Sequence, residues 1–252
     1  MTAQWEILAP ALLAGCLVLA THIPLGREVL RRGIIFIDLA IAQIAGLGVM
    51  AAARLGWEAH GWRAQLAAVA GALLGALALG LAERRLGRHQ EAVIGVAFVL
   101  AASGGILLLA GDAHGGEALR ELLVGQILWV DWPLLARAAG VTAALLGGWA
   151  LLGTGARRGI GFYLLFAVAV TLSVQLVGVY LVFASLIVPA LATAQQPPRR
   201  QLPAAWAVGL AGYGAGLALS AWLDLPSGAV IVWCLALAGV VWRLAGARRF
   251  GV

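Results

Sequence analysis

The chain has 252 residues, 63% of them hydrophobic and only 11% charged, with a mean hydropathy of +0.98. Soluble domains run at about 45–50% apolar and about 25% charged, so this composition excludes an ordinary soluble fold and describes a polytopic membrane protein. The formal charge is +6 and all 17 basic residues are arginine; without a lysine there is no Walker A phosphate loop and no Schiff-base amine, so a nucleotide that drives this protein must bind another chain.

A helix needs about 20 apolar residues to cross a bilayer. Eight such runs occur, at about 7–25, 33–53, 64–82, 91–111, 134–153, 161–188, 204–222 and 227–245. No long polar insertion separates them, which predicts a single transmembrane domain over 1–252 and an all-α fold.

The first run follows MTAQWEILAP, which has no basic residue and no small-residue cleavage site, and is expected to be a retained span. Arg27, Arg31 and Arg32 follow it and are expected in a loop. The second run holds FIDLAIAQIAGLG (36–48), with Asp38 and Gln43 among apolar residues. A carboxylate at mid-bilayer costs about 2.5–3.5 kcal/mol on insertion scales. Asp38 is therefore a candidate pathway group; the alternative is a carboxylate paired with Arg31 or Arg32. Five residues of helix advance 500°, which leaves Gln43 about 140° from Asp38. Gly46 and Gly48 would tolerate a local distortion or close packing.

Between the second and third runs, WEAHGW (57–62) pairs Glu58 with His60. The third run carries Gly71, Gly75 and Gly80, which permit close helix approach. Arg84, Arg85 and Arg88 follow. The fourth run opens at Glu91 and is followed by DAHGGE (112–117), where Asp112, His114 and Glu117 gather. None of the four histidines is expected deep in a span, and none has the spacing of a tight zinc site. ALRELLVGQILWVDW (118–132) is too short and polar to cross, and reads as an interfacial or re-entrant helix.

Arg157 and Arg158 follow the fifth run. The sixth ends in SVQLVGVYLVFASLIVPALATAQ (173–195), where Gln175, Ser185 and Pro189 are the candidate pathway residues. Pro189 removes a backbone donor and would free the Ser185 carbonyl; the helix is either a kinked packing element or a gate. The seventh run has Gly212, Gly214 and Gly216, and Arg199 and Arg200 lie just before it. Cys16 and Cys234 stand alone in apolar runs and read as small core residues.

Eight arginines fall in the odd-numbered connections and five in the even ones, Arg199 and Arg200 among the latter. The positive-inside rule then places the odd connections in the cytoplasm and both termini outside. Arginine clusters between apolar runs read as topology signals and not as a nucleic-acid surface. Trp5, Trp57, Trp62, Trp129 and Trp132 fall at the proposed outer ends of spans, whereas Trp222 ends the seventh run, beside an odd-numbered connection. No nucleophile–base set is visible, and the chain is not expected to be an enzyme.

Five segments in order resemble the membrane permeases of bacterial ABC importers for zinc, manganese and related metals. They are PLGREVLRRGIIFIDLAIAQIAGLG, EAVIGVAFVLAASGGILLL, LRELLVGQILWVDW, VGVYLVFASLIVPALATA and DLPSGAVIVWCLAL. The resemblance implies a homodimeric inner-membrane permease with that family's helical fold. It implies cytoplasmic ATPase subunits that hydrolyse ATP, an extracytoplasmic metal-binding protein, and a divalent metal as cargo, with no cofactor bound in this chain. It makes Asp38 the tentative metal contact.

In that family the second helix commonly carries an Asp and, four residues on, a His. Here Ala42 stands four residues after Asp38 and Gln43 follows, so another small solute is the alternative cargo. The family's cytoplasmic segment after the fifth span is longer than LLGTGARRGIGFYLL (151–165). Gly155, Arg157, Arg158 and Gly159 are the expected ATPase contact, and a non-transporting scaffold is the alternative for a segment so short.

Overall fold

The computed structural model describes residues 2–58, 61–86, 89–109, 115–151 and 159–250. Among them are ten α-helices, one 3-10 turn and no strand. The helices are α1 (Thr2–Arg32), α2 (Ile37–Arg54), α3 (Trp62–Leu86), α4 (Gln90–Leu109), α5 (Gly115–Val124), α6 (Trp132–Leu151), α7 (Ile160–Val177), α8 (Val179–Thr193), α9 (Pro198–Leu223) and α10 (Ser227–Phe250). Eight are long and apolar enough to cross a membrane; α5 and α8 are not. The chain is an all-α, multi-pass membrane protein, as its composition predicts.

Two expected boundaries move. The first run does not end at residue 25: α1 spans 31 residues and continues through Arg27 to Arg32, with Pro10 and Pro24 inside it. The last turns stay helical because Glu28 lies three and four residues before two arginines. Arg31 reaches Glu28 Oε1 at 2.6 Å and Arg32 at 2.7 Å. Arginines also suit the negative end of the helix dipole. Gly33, at φ +70°, then ends the helix.

The sixth run is two helices. It breaks at Gly178, whose φ is +81°, into α7 and the 15-residue α8. Pro189, expected to be the disruption, lies inside α8 without ending it. The break is set by a backbone crossing. A Cβ on Gly178 would lie 2.4 Å from the Gly125 nitrogen, and one on Gly125, itself at φ +70°, 2.3 Å from the Val177 carbonyl carbon. Only glycine has room and conformational freedom for both demands.

The contacts divide into two compact units. One comprises residues 1–32, 123–143 and 176–252. In it α8 packs against α1, α9 and α10, and α9 against α10. Small residues make this possible: a Cβ on Gly212 would meet Leu235 at 2.5 Å, and one on Gly216 would meet Ile231 at 2.6 Å. Gly214 faces open space. The other unit comprises residues 33–122 and 144–175, where α2 packs against α3 and α4. Gly71 and Gly75 receive Ile44, and Gly80 receives Tyr163. Phe162, Tyr163 and Phe166 of α7 are fully buried, with the Phe162 ring 5.4 Å from that of Phe166.

Candidate functional site

The candidate site is on α2. This helix is continuous from Ile37 to Arg54 and is buried on several sides. Its glycines serve packing and not distortion. A Cβ on Gly48 would lie 2.6 Å from the Ala67 carbonyl oxygen on α3, and one on Gly46 would lie 2.6 Å from the Leu122 side chain. Close contact on more than one side removes the solvent-facing stripe of an ordinary amphipathic helix.

Asp38 occupies the first turn and is 1% exposed. Both carboxylate oxygens are buried and accept no hydrogen bond. Asp38 thus accepts no hydrogen bond from Arg31 or Arg32; each of these arginines meets Glu28. An unpaired buried carboxylate is among the costliest groups a fold can hold. Gln43 is also buried, at 6% exposed. The unbroken helix keeps it about 140° from Asp38, so the two side chains do not converge on one small ion.

The other predicted residues fall as follows. Gln175 lies exposed near the end of α7. Ser185 is fully buried on α8 and its hydroxyl is committed: it donates to the Leu181 carbonyl at 2.6 Å and meets the Tyr213 hydroxyl at 2.8 Å. Pro189 is buried on the same helix, and its carbonyl accepts from Thr193 Oγ1 at 2.8 Å. Gly159 is half-buried just before α7. Gly155, Arg157 and Arg158 lie outside the described residues, as do His60, Arg88, Asp112 and His114.

Two residues carry more than their sequence context suggested. His22, not expected deep in a span, is fully buried in α1 because that helix runs ten residues beyond it. Its Nδ1 donates to the Val18 carbonyl at 3.0 Å, and its Nε2 has no partner. Glu91, read only as the start of a span, accepts a hydrogen bond from the Phe36 backbone at 3.2 Å. The available signal was an acidic residue in a helix's first turn, which usually serves its own helix dipole.

Among the described residues no three His, Cys, Asp or Glu side chains come together. Tight zinc sites use three or four protein ligands. The chemistry of α2 is that of a single carboxylate in an apolar setting.

The chain matches the model of the ABC 3 transport family over residues 4–148 and 157–245. No curated protein matches it. Among solved structures it is similar to one described as PsaBC from Streptococcus pneumoniae in complex with Fab. That likeness has a TM-score of 0.70 and 21% sequence identity, and covers 97% of this chain and 94% of the other. At that identity the likeness establishes a shared fold.

Proposed function

The chain belongs to the ABC 3 transport family as a multi-pass membrane subunit of an ABC transporter, and from that premise we propose that it carries a divalent metal ion, zinc or manganese, inward across the bacterial inner membrane. The observation that carries this reading is Asp38: a fully buried carboxylate without a partner, on a helix of an otherwise apolar bundle. A fold bears that cost where the group meets a charged cargo. One carboxylate with a distant amide suits passage better than storage, because a cation held by few ligands can leave.

Energy and delivery come from other chains. With no lysine for a phosphate loop, the ATPase is a separate cytoplasmic subunit. An extracytoplasmic binding protein supplies the metal, and a second copy of this chain completes the permease. The likeness to the structure described as PsaBC supports the fold on which this reading rests.

The test is uptake of labelled zinc and manganese in a deletion strain carrying this chain and its partners. Asp38→Asn should reduce uptake at least about tenfold, a loss of about 1.4 kcal/mol in transition-state stabilisation, with unchanged membrane abundance. Full uptake by that variant would sink the role of Asp38. Gln43, one residue beyond the position where the family commonly has histidine, favours one other reading, in which a neutral polar solute is the cargo. Chelator-sensitive growth of the deletion strain, restored by added metal, discriminates against it.

A further inference from the structure

The start of α2 is capped by another helix. Phe36, the residue before α2, has no side-chain cap of its own, and the first backbone N–H groups of any helix need outside acceptors. Glu91, in the first turn of α4, supplies one: its Oε1 accepts from the Phe36 N–H at 3.2 Å. At the other end of the pair, Arg54 Nε donates to the Leu108 carbonyl at 2.6 Å. The two helices therefore run in the same direction, with a polar contact at each end. Between these ends, a Cβ on Gly105 would lie 3.0 Å from Met50 Sδ and one on Gly104 3.4 Å from Leu47. Sliding or rotation of α2 along α4 would break the polar ends and wedge these side chains against backbone.

We propose that Glu91 is a positioning residue for the transport site: by capping Phe36 it fixes the start of α2, and with it the depth and azimuth of Asp38 two residues later. A residue so close to the first helical turn cannot move independently of it. The helix rise is 1.5 Å and the turn 100° per residue, so fraying by even one residue displaces the carboxylate. The carboxylate of Glu91 suits the task because it meets the positive end of the α2 dipole. The functional half of this inference rests on the pathway role of Asp38; the structural half does not.

The experiment uses the full-length chain with its partner subunits in lipid nanodiscs. Hydrogen–deuterium exchange of residues 34–38 is compared among wild type, Glu91→Leu and Glu91→Gln. The glutamine keeps an acceptor oxygen. Glu91→Leu should accelerate exchange there by about threefold to tenfold, the worth of one net hydrogen bond, and Glu91→Gln should restore protection. Metal uptake per mole of purified complex should show a lower Vmax for Glu91→Leu, with KM for the loaded binding protein unchanged and Vmax restored by Gln.

Unchanged exchange in Glu91→Leu overturns the cap. Faster exchange with wild-type Vmax overturns the positioning role while leaving the cap. Should Glu91→Leu not assemble, Glu91→Asp, one methylene shorter, takes its place with the same outcomes. Full uptake by Asp38→Asn would remove the pathway reading alone, since the exchange data answer separately for the cap.

Discussion

Asp38 carries an uncompensated cost: it is a carboxylate buried to 1% exposure. Its oxygens are buried without a hydrogen bond, and Arg31 and Arg32 each pair with Glu28. Replacing a buried polar group that has no partner by an apolar one of similar size removes its desolvation cost. Asp38→Leu should therefore raise the thermal unfolding midpoint of the purified protein while abolishing uptake. A variant less stable than wild type would mean the carboxylate has a structural partner. Ser185 is the contrasting case. Its hydroxyl joins α8 to Tyr213, and removal leaves a buried phenol unsatisfied, at about 1–3 kcal/mol. Ser185→Ala should lower stability by that amount, read by thermal unfolding, and leave uptake per folded molecule near wild type. The sequence made both residues candidates by type alone. What it could not carry was which polar group is spent on a neighbour, because that depends on chains of packing far apart in sequence.

At the scale of elements, apolar run length made the eight long helices legible, since the bilayer dictates it. It failed where something other than hydrophobicity decides. The extension of α1 through Arg27 rests on Glu28 pairing and on arginine's tolerance of an interface. The break between α7 and α8 lies inside an apolar run, three residues after Gln175, and what marks it is one glycine among 34. What singles out Gly178 is the chain that crosses it at Gly125. Gly178→Ala should cost about 3 kcal/mol or more, combining left-handed strain with a clash against backbone. Gly214→Ala should be neutral or stabilising by up to about 1 kcal/mol, because nothing lies within 4 Å of its would-be Cβ and alanine favours helix. Thermal unfolding of the two variants side by side checks the pair. Equal effects would remove the crossing as the cause of the break.

For the whole molecule, the charge pattern makes a claim about sidedness that the packing alone does not. Between the eight apolar runs, eight arginines fall in the odd-numbered connections and five, Arg199 and Arg200 among them, in the even ones. Arg27 Nε donates to Gln201 Oε1 at 3.1 Å and Arg243 to the Leu191 carbonyl at 3.3 Å, which gathers the ends of α1, α8 and α10 and the start of α9 at one end of their unit. That Arg27, Arg31 and Arg32 end a helix instead of forming a loop leaves them on the same side. Tryptophans mark the opposite ends. Trp57, Trp62, Trp129, Trp132 and Trp222 are all exposed, which suits an amphipathic ring at the headgroup level. The two residue types predict that the arginine-rich ends face the cytoplasm. The end of α10, where Arg243 donates to the Leu191 carbonyl at 3.3 Å, then lies on the arginine-rich side and not, as expected, with the start of α1. In a chain with Cys16 and Cys234 replaced by alanine, single cysteines at positions 57, 129 and 222 should react with an impermeant maleimide in intact cells. Single cysteines at 31 and 199 should react only after the membrane is opened. The reverse pattern would invert the topology. It would also place the Glu91-capped start of α2, and Asp38 with it, nearer the outer face, so that the carboxylate would meet the cargo at entry and not at release.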